Sequence, residues 1–246
     1  MQSISANLNI MIKAAEKASR ALIRDFGEIE KLQVSIKGPS DFVSNADLKA
    51  EKIIIEELKK ARPYYSIISE EDGSEKNKDK NNTWIIDPID GTTNFLNGIP
   101  HFCISVGLVL DNEIVSGVIF DPIKDEIYYA EKNSGAYMNN KSIRVSRKRE
   151  ISECLFSSNS QKISSDGLTI RITGSAALDL AYVSCGRFDG SFHKNLSLWD
   201  IAAGSILVRE AGGVLSDIDL KKTENISLIA SNQSIEKEIN NKISMF

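Results

Sequence analysis

Between Trp84 and Phe95 the chain reads Trp-Ile-Ile-Asp-Pro-Ile-Asp-Gly-Thr-Thr-Asn-Phe, with Asp87 and Asp90 on either side of a Pro-Ile pair. The apolar run Trp84-Ile85-Ile86 has strand character and leads straight into Asp87. Pro88 offers no backbone donor, so ladder pairing is expected to end there, and Gly91 permits a turn into Thr92-Thr93-Asn94. Two acids on one tight turn repel, and each raises the other's pKa unless a cation neutralises them. Oxygen donors suit a hard ion. Magnesium takes one or two carboxylates and completes its shell with water and phosphate oxygens, which fits such a turn better than a closed protein cage. If Gly91-Thr92-Thr93 open a helix, their amides face a phosphate. An isolated Asp-Gly is usually a solvated turn; strand, proline, second Asp and Gly-Thr-Thr in one run form a more specific pattern.

Other acids stand where apolar elements begin or end. Tyr65-Ser66-Ile67-Ile68 reads as a strand running into Glu70-Glu71-Asp72-Gly73. Ser44-Asn45-Ala46-Asp47 offers capping oxygens before a helical run through Ile54 and Leu58 that ends near Pro63, which puts Asp47 in a first turn. Trp199-Asp200-Ile201-Ala202-Ala203-Gly204 likewise places Asp200 in the first turn of a small-residue helix. Alone, each first-turn acid is accounted for by the helix dipole. Together, Glu70, Asp87 and Asp200 could converge at one edge of a layered fold.

The elements that must position them follow from periodicity. Ile10, Ala14, Ala18, Leu22 and Phe26 recur at helical spacing from about Ser5 to Phe26, with Gly27 as the expected stop. The Lys-, Asn- and Asp-rich stretch 74–83 reads as a mobile surface loop. Phe102 to Leu110 and Glu113 to Phe120, joined by Asp111-Asn112, form a hairpin, and Glu126 to Ala130 and Gly135 to Tyr137 continue an antiparallel meander. Beyond Arg149 come Cys154-Leu155-Phe156, a polar loop, Leu168 to Ile172, a helix opened by Gly174-Ser175-Ala176-Ala177, a strand at Phe188 to Phe192, a helix at Leu198 to Ala211, strands at Val214-Leu215 and Ser227 to Ala230, and a terminal helix. With no repeat or linker, residues 1–246 are expected to form a single unit, with interlocked halves 1–149 and 150–246.

Composition excludes several classes. The 246 residues carry a net charge of −4, which gives no general footprint for nucleic acid or an anionic membrane. No apolar run approaches membrane-spanning length, and the N-terminus lacks a secretory signal, so a cytoplasmic location is expected. Cys103, Cys154 and Cys185 are odd in number and widely spaced, as for reduced packing cysteines, and neither His101 nor His193 has a partner at zinc-ligand spacing.

The strings at 84–95 and 199–204 resemble the two signatures of the inositol monophosphatase family. Lys37, Asp41-Phe42-Val43, Ala46-Asp47, Glu70-Glu71, Gly174-Ser175-Ala176-Ala177 and Glu210-Ala211-Gly212-Gly213 extend the likeness over nearly the whole chain. The resemblance implies an α+β fold, a five-layered α-β-α-β-α sandwich with a largely antiparallel N-terminal sheet and a mixed C-terminal sheet. It implies a lithium-sensitive homodimer that hydrolyses a phosphate monoester with two or three Mg2+ ions, or Mn2+ as substitute. By position, Glu70, Asp87 and the Ile89 carbonyl would bind the first metal, and Asp87, Asp90 and Asp200 the second, with Glu70 helping to hold a third. Asp47 and Thr92 would orient the attacking water, with Glu70 beside them in the catalytic set. Gly91 and Thr92 amides would hold phosphate, with Asp90, Ser175, Ala176, His193 and Asp200 on the substrate.

The chain departs from the family pattern in two places. His193 stands where the family commonly has Glu, and an imidazole cannot reproduce an acceptor-only carboxylate. It reads either as an exposed, tolerated substitution or as a changed specificity contact. The segment 154–171 is short, with Ser157 to Gly167 expected as a bare polar loop. Within the enzyme class, histidinol phosphate, fructose 1,6-bisphosphate and nucleotide 3'-phosphates are alternative substrates. A transcription- or RNA-associated role, drawing on Arg144, Arg147, Lys148 and Arg149, is the less favoured reading because the chain is acidic overall.

Overall fold

The computed structural model describes residues 4–32, 39–160 and 168–243, with side chains at 29–44 and Lys80 outside the description. Lys37 and the side chains of Asp41, Phe42 and Val43, part of the family pattern, therefore lie outside the described residues.

Two helices, α1 (Ala6–Leu32) and α2 (Pro39–Ala61), cover one face of an eight-stranded sheet. Its strands are β1 (Tyr65–Ser69), β2 (Gly73–Glu75), β3 (Asp79–Asp90), β4 (Cys103–Leu110), β5 (Glu113–Asp121), β6 (Glu126–Glu131), β7 (Gly135–Met138) and β8 (Lys141–Ile143), in the order β2-β1-β3-β4-β5-β6-β7-β8. Every neighbouring pair is antiparallel except β1 with β3. Strand alternation sorts the side chains between two cores. Trp84, Ile86, Val106 and Val118 pack with Met11, Ala18, Ala50 and Ile54 of the helices, while Ile85, Ile119 and Tyr128 face the opposite way.

On that opposite side lie α4 (Ala176–Ser184) and α5 (Leu198–Glu210), and beyond them a mixed sheet. It contains β9 (Leu155–Ser158), β10 (Thr169–Arg171), β11 (Gly190–Leu196), β12 (Gly213–Leu215) and β13 (Ile226–Asn232), ordered β10-β9-β11-β13-β12. The β9 strand is parallel to both neighbours, whereas β13 is antiparallel to β11 and β12. Phe156 and Phe192 on its far face pack against Ile235, Ile239 and Ile243, the last two from α6 (Glu236–Ile243). The layers are thus α-β-α-β-α, as the resemblance implies. The small residues of α5 serve close approach: a methyl added at Gly117 of β5 would come within 2.6 Å of the Ala203 carbonyl oxygen.

Several local expectations are corrected. The α1 helix runs through Gly27 to Leu32 instead of stopping. Asp47 lies inside α2, which begins at Pro39, and not in a first turn. The stretch 74–83 is not a loop: it supplies the end of β2 and the start of β3, paired through Tyr65 with Asp79 and Asn82 with Leu110. The expected polar loop after Cys154 begins as β9, and residues 161–167 lie outside the described residues. Pro88 does not end the ladder either. The β3–β4 register shifts between Asp87 and Asp90, and pairing resumes at Asp90 with Cys103, so a bulge absorbs the missing donor.

Candidate active site

The bulge turns the end of β3 into an acid platform. Asp87 Oδ1 accepts the Ile89 amide at 3.0 Å, closing a tight local turn that separates Asp87 from Asp90. Gly91 follows with φ 99°, and a side chain there would lie 3.0 Å from the His101 carbonyl oxygen, so glycine is required both by backbone angle and by space. The short helix α3 (Thr92–Leu96) starts next, as expected for Gly91-Thr92-Thr93. Its position is fixed from two sides. Phe95 packs against Phe102 and Phe26 at centroid distances of 4.9 and 5.5 Å, and Asn94 Nδ2 donates to the carbonyls of His101 and Thr173 at 2.7 and 2.9 Å. Asn94 thereby ties α3 to the segment leading into α4.

Three carboxylates meet here. One oxygen each from Asp87, Asp90 and Asp200 lie within 4.8 Å of one another, although Asp200 is 110 residues beyond Asp90 in the chain. Asp200 keeps its capping role as well, accepting the Ser197 amide at 2.7 Å. Asp90 Oδ2 accepts from the Ser175 hydroxyl and from the Ala177 amide at 2.7 Å, so the start of α4 is moored to the platform. Ser105 donates to the Trp199 carbonyl at 3.2 Å and moors α5 beside it. The sequence-assigned Ser175 and Ala176 therefore stand next to Asp90.

Burial and mutual repulsion dominate the electrostatics. Burial pushes Asp87 well above the usual carboxylate range, with the charges of Glu70, Asp90 and Asp200 adding to it. Asp90 is likewise raised by burial, opposed by its bonds from Ser175 and Ala177. Asp200 rises to about 7, through burial and then Asp90. Glu70 rises to about 7, chiefly through desolvation, offset in part by a hydrogen bond with Asp87. Asp47, buried on α2, reaches about 8 through burial and then Glu71, Glu70 and Glu51. Three carboxylates held this closely, with Glu70 beside Asp87, want a cation, and an all-oxygen donor set fits a hard one. Cys103, buried 3.8 Å from Asp90 Oδ2, is the nearest thiol and is pushed further up by burial, so it stays protonated and is no ligand or nucleophile.

Thr92 Oγ1 donates to the Ile89 carbonyl at 2.9 Å, which leaves that oxygen a second lone pair and holds the Thr92 side chain over the platform. His193 is not an exposed substitution. It is 5% exposed, in β11, with Nε2 3.2 Å from Asp179 Oδ2 of α4. All three cysteines are free, as expected. Sequence reasoning missed Asp179, Asn94 and Glu51. The spacing of Glu51 one turn after Asp47 would have placed it on the same helix face.

An oxygen-only acid cluster in a five-layered α-β-α-β-α sandwich is the setting of a phosphoric monoester hydrolase, and the comparisons with known proteins assign that class. The profile of the inositol monophosphatase family matches residues 4–244, and the chain belongs to that family. It is 46% identical to an inositol-1-monophosphatase of Mesorhizobium japonicum, over 96% of this chain and 95% of that protein. It is 41% identical to Nus factor SuhB of Xylella fastidiosa, over 92% and 90% of the two chains. The crystal structure of extragenic suppressor protein suhB from Bartonella henselae superposes with a TM-score of 0.86 at 41% identity, covering 98% of this chain and all of that one. Among the described residues no helix is long and apolar enough to cross a membrane.

Proposed function

We propose that the protein hydrolyses a polyol phosphate, myo-inositol 1-phosphate or a close relative, to the free alcohol and phosphate, with Mg2+ at the acid cluster. The observation that carries this reading is the approach of Asp87, Asp90 and Asp200 within 4.8 Å at the foot of α3. Asp87, Asp90, Asp200, Glu70 and the Ile89 carbonyl would hold two or three ions, with Mn2+ as substitute. When bound, the metal supplies Lewis-acid activation of water and neutralises charge on the departing oxygen.

The chain's own groups do the rest. The Gly91 and Thr92 amides donate to phosphate oxygens. Thr92 Oγ1 and Asp47 orient the attacking water in line with the ester bond, and Asp47, with a pKa near 8, can take up its proton at neutral pH only when charge nearby favours its anion. Positioning and charge neutralisation suffice for phosphoryl transfer to water, so no covalent enzyme intermediate is required. Ser175 and Ala176, moored to Asp90, face the alcohol, while the ring nitrogens of His193 are buried, Nε2 lying 3.2 Å from Asp179 Oδ2. A buried imidazole beside Asp179 does not offer the alcohol the acceptor-only carboxylate of Glu, so the preferred alcohol is expected to differ from that of relatives with Glu at this position.

Phosphate release should be measured with Mg2+ across inositol 1-phosphate, glycerol 2-phosphate, histidinol phosphate, fructose 1,6-bisphosphate and adenosine 3',5'-bisphosphate. Inositol or glycerol phosphate in the lead supports the polyol assignment. A leading bisphosphate or histidinol phosphate would replace it while leaving the chemistry in place, and no turnover with Mg2+ or Mn2+ would reject both. Inhibition by lithium belongs to the same expectation.

We further propose a homodimer. Ile99, Ile123 and Ile172 are 47%, 36% and 53% exposed, on segments tied together by Lys124 Nζ to the Pro100 carbonyl and by the Asn94 bridge. Exposed isoleucines on neighbouring segments suit burial against a second copy. Light scattering at micromolar concentration is expected to give twice the chain mass; a monomer mass would reject the dimer.

A second reading, association with transcription machinery or RNA, is favoured by the relative named Nus factor SuhB. Arg144, Arg147 and Arg149 are exposed, but Lys148 is engaged by Asp189 at 2.9 Å, which leaves a thin basic patch. Salt-sensitive retention of RNA or polymerase by the purified protein would bring this reading forward.

A further inference from the structure

We propose that Glu51 is the positioning residue for Glu70, a buried carboxylate that sets the turn presenting Glu70 to the acid cluster. The inference rests on the phosphatase reading above. Glu51 lies on α2 one helical turn after Asp47 and is 1% exposed. Its Oε1 accepts from the Ser69 hydroxyl at 3.0 Å and from the Asp72 amide at 2.8 Å, and its Oε2 accepts from the Glu71 amide at 3.2 Å. One side chain from a different element therefore binds the residue before Glu70 and the two residues after it.

Glu70 itself is held by its amide to the Ile86 carbonyl at 3.2 Å, one residue before Asp87. The turn needs this help. Residues 70–75 are all exposed, and the three-residue strand β2 pairs only with β1, so side-chain packing contributes little order there. Three bonds to a single buried acceptor replace that packing.

The choice of an acid is informative because it is unfavourable locally. Glu51 adds to the raised pKa of Asp47 and Glu70. A carboxylate is nonetheless the only side chain of this size with two oxygens, both acceptors. Gln would turn an NH2 group toward one of the three donors and leave that donor unpaired. The geometry is thus built for the turn, and the turn's product is the direction of the Glu70 carboxyl toward Asp87.

Support of this kind behind a metal ligand typically changes metal affinity ~10–100-fold. The test is Mn2+ binding to metal-stripped protein, followed by electron paramagnetic resonance, with amide hydrogen exchange at Glu71 and Asp72. In Glu51→Gln, the weakest Mn2+ site is expected to lose about tenfold in affinity, the two amides to exchange faster, and the Mg2+ concentration for half-maximal rate to rise with kcat at saturating Mg2+ little changed. Ser69→Ala removes one bond while keeping the carboxylate, and is expected to shift Mn2+ affinity the same way by less; it serves if Glu51→Gln does not fold. Unchanged Mn2+ affinity in the folded variants, with wild-type binding intact, overturns the role of Glu51 and leaves the phosphatase reading standing. Absence of Mn2+ binding by the wild-type protein would overturn both.

Discussion

Asp90→Asn is expected to lower kcat/KM for the best phosphate monoester by roughly a thousandfold or more, while the variant folds and melts within a few degrees of the wild-type protein. Asp90 is the residue on which the parts of the site converge: it follows the β3 bulge, precedes Gly91, accepts from Ser175 and Ala177, and joins Asp87 and Asp200. An amide keeps the shape and one acceptor but removes the charge a cation needs. Losing about 4 kcal/mol of charge stabilisation corresponds to about three powers of ten in rate. The fold should tolerate the change because the carboxyl already sits in repulsive company that burial makes worse, so weaker bonds to Ser175 and Ala177 are offset by relief of that repulsion. Steady-state kinetics and circular dichroism melting check both halves. Near-normal turnover would remove Asp90 from the catalytic machinery, and an unfolded variant would show that it acts mainly as a structural anchor.

The legible parts of the site are those where one short stretch supplies both the residues and their geometry. Asp87, Asp90 and Gly91 share one turn, and the strand before them is apolar on both faces because it is buried on both faces. The Asp111-Asn112 hairpin was equally readable: both residues adopt left-handed angles, φ 49° and 64°, as a two-residue hairpin requires. Asp200 could be placed at a helix start, but its distance from Asp87 could not, since that depends on how α5 crosses the sheet.

The misreadings have a common physical origin in long-range contacts. Gly27 would stop an isolated helix, yet α1 buries Leu8, Met11, Ala14, Ala18 and Leu22 against the sheet, and packing on that scale exceeds the ~1 kcal/mol cost of a glycine. The polar stretch 74–83 looked like a loop because it carries no apolar alternation, yet its backbone pairs, as edge strand β2 against β1 and as the start of β3 between β1 and β4. For His193 the sequence left an exposed substitution and a specificity contact both open, because burial by α4, which brings Asp179 to within 3.2 Å, is a long-range contact. Glu51 carried no motif at all; its meaning comes from three donors that belong to another segment.

Metal-free protein is expected to lose stability as pH rises from about 4 to about 8, and Mg2+ to restore it most strongly at the upper end. The acids responsible have folded-state pKa values above their unfolded ones: Asp200 and Glu70 about 7, Asp47 about 8, and Asp87 and Asp90 raised. The folded state therefore holds protons that the unfolded state has released. Its advantage is full below the ordinary carboxylate range and disappears as pH climbs through the folded values, where each group must ionise beside its neighbours. A cation reverses this by giving the anions a partner. Free Mg2+ at a hundred times its dissociation constant contributes about 2.7 kcal/mol, or about 5–10 °C in melting temperature for a chain of this length. Calorimetry at pH 5 and pH 8, with chelator or with Mg2+, measures both effects. Asp200→Asn should flatten the chelator curve, since it removes one of the like charges. A metal-free melting temperature that rises toward pH 8, or that ignores Mg2+ there, would mean that the acids of this site are not the cation-seeking group their burial and spacing indicate.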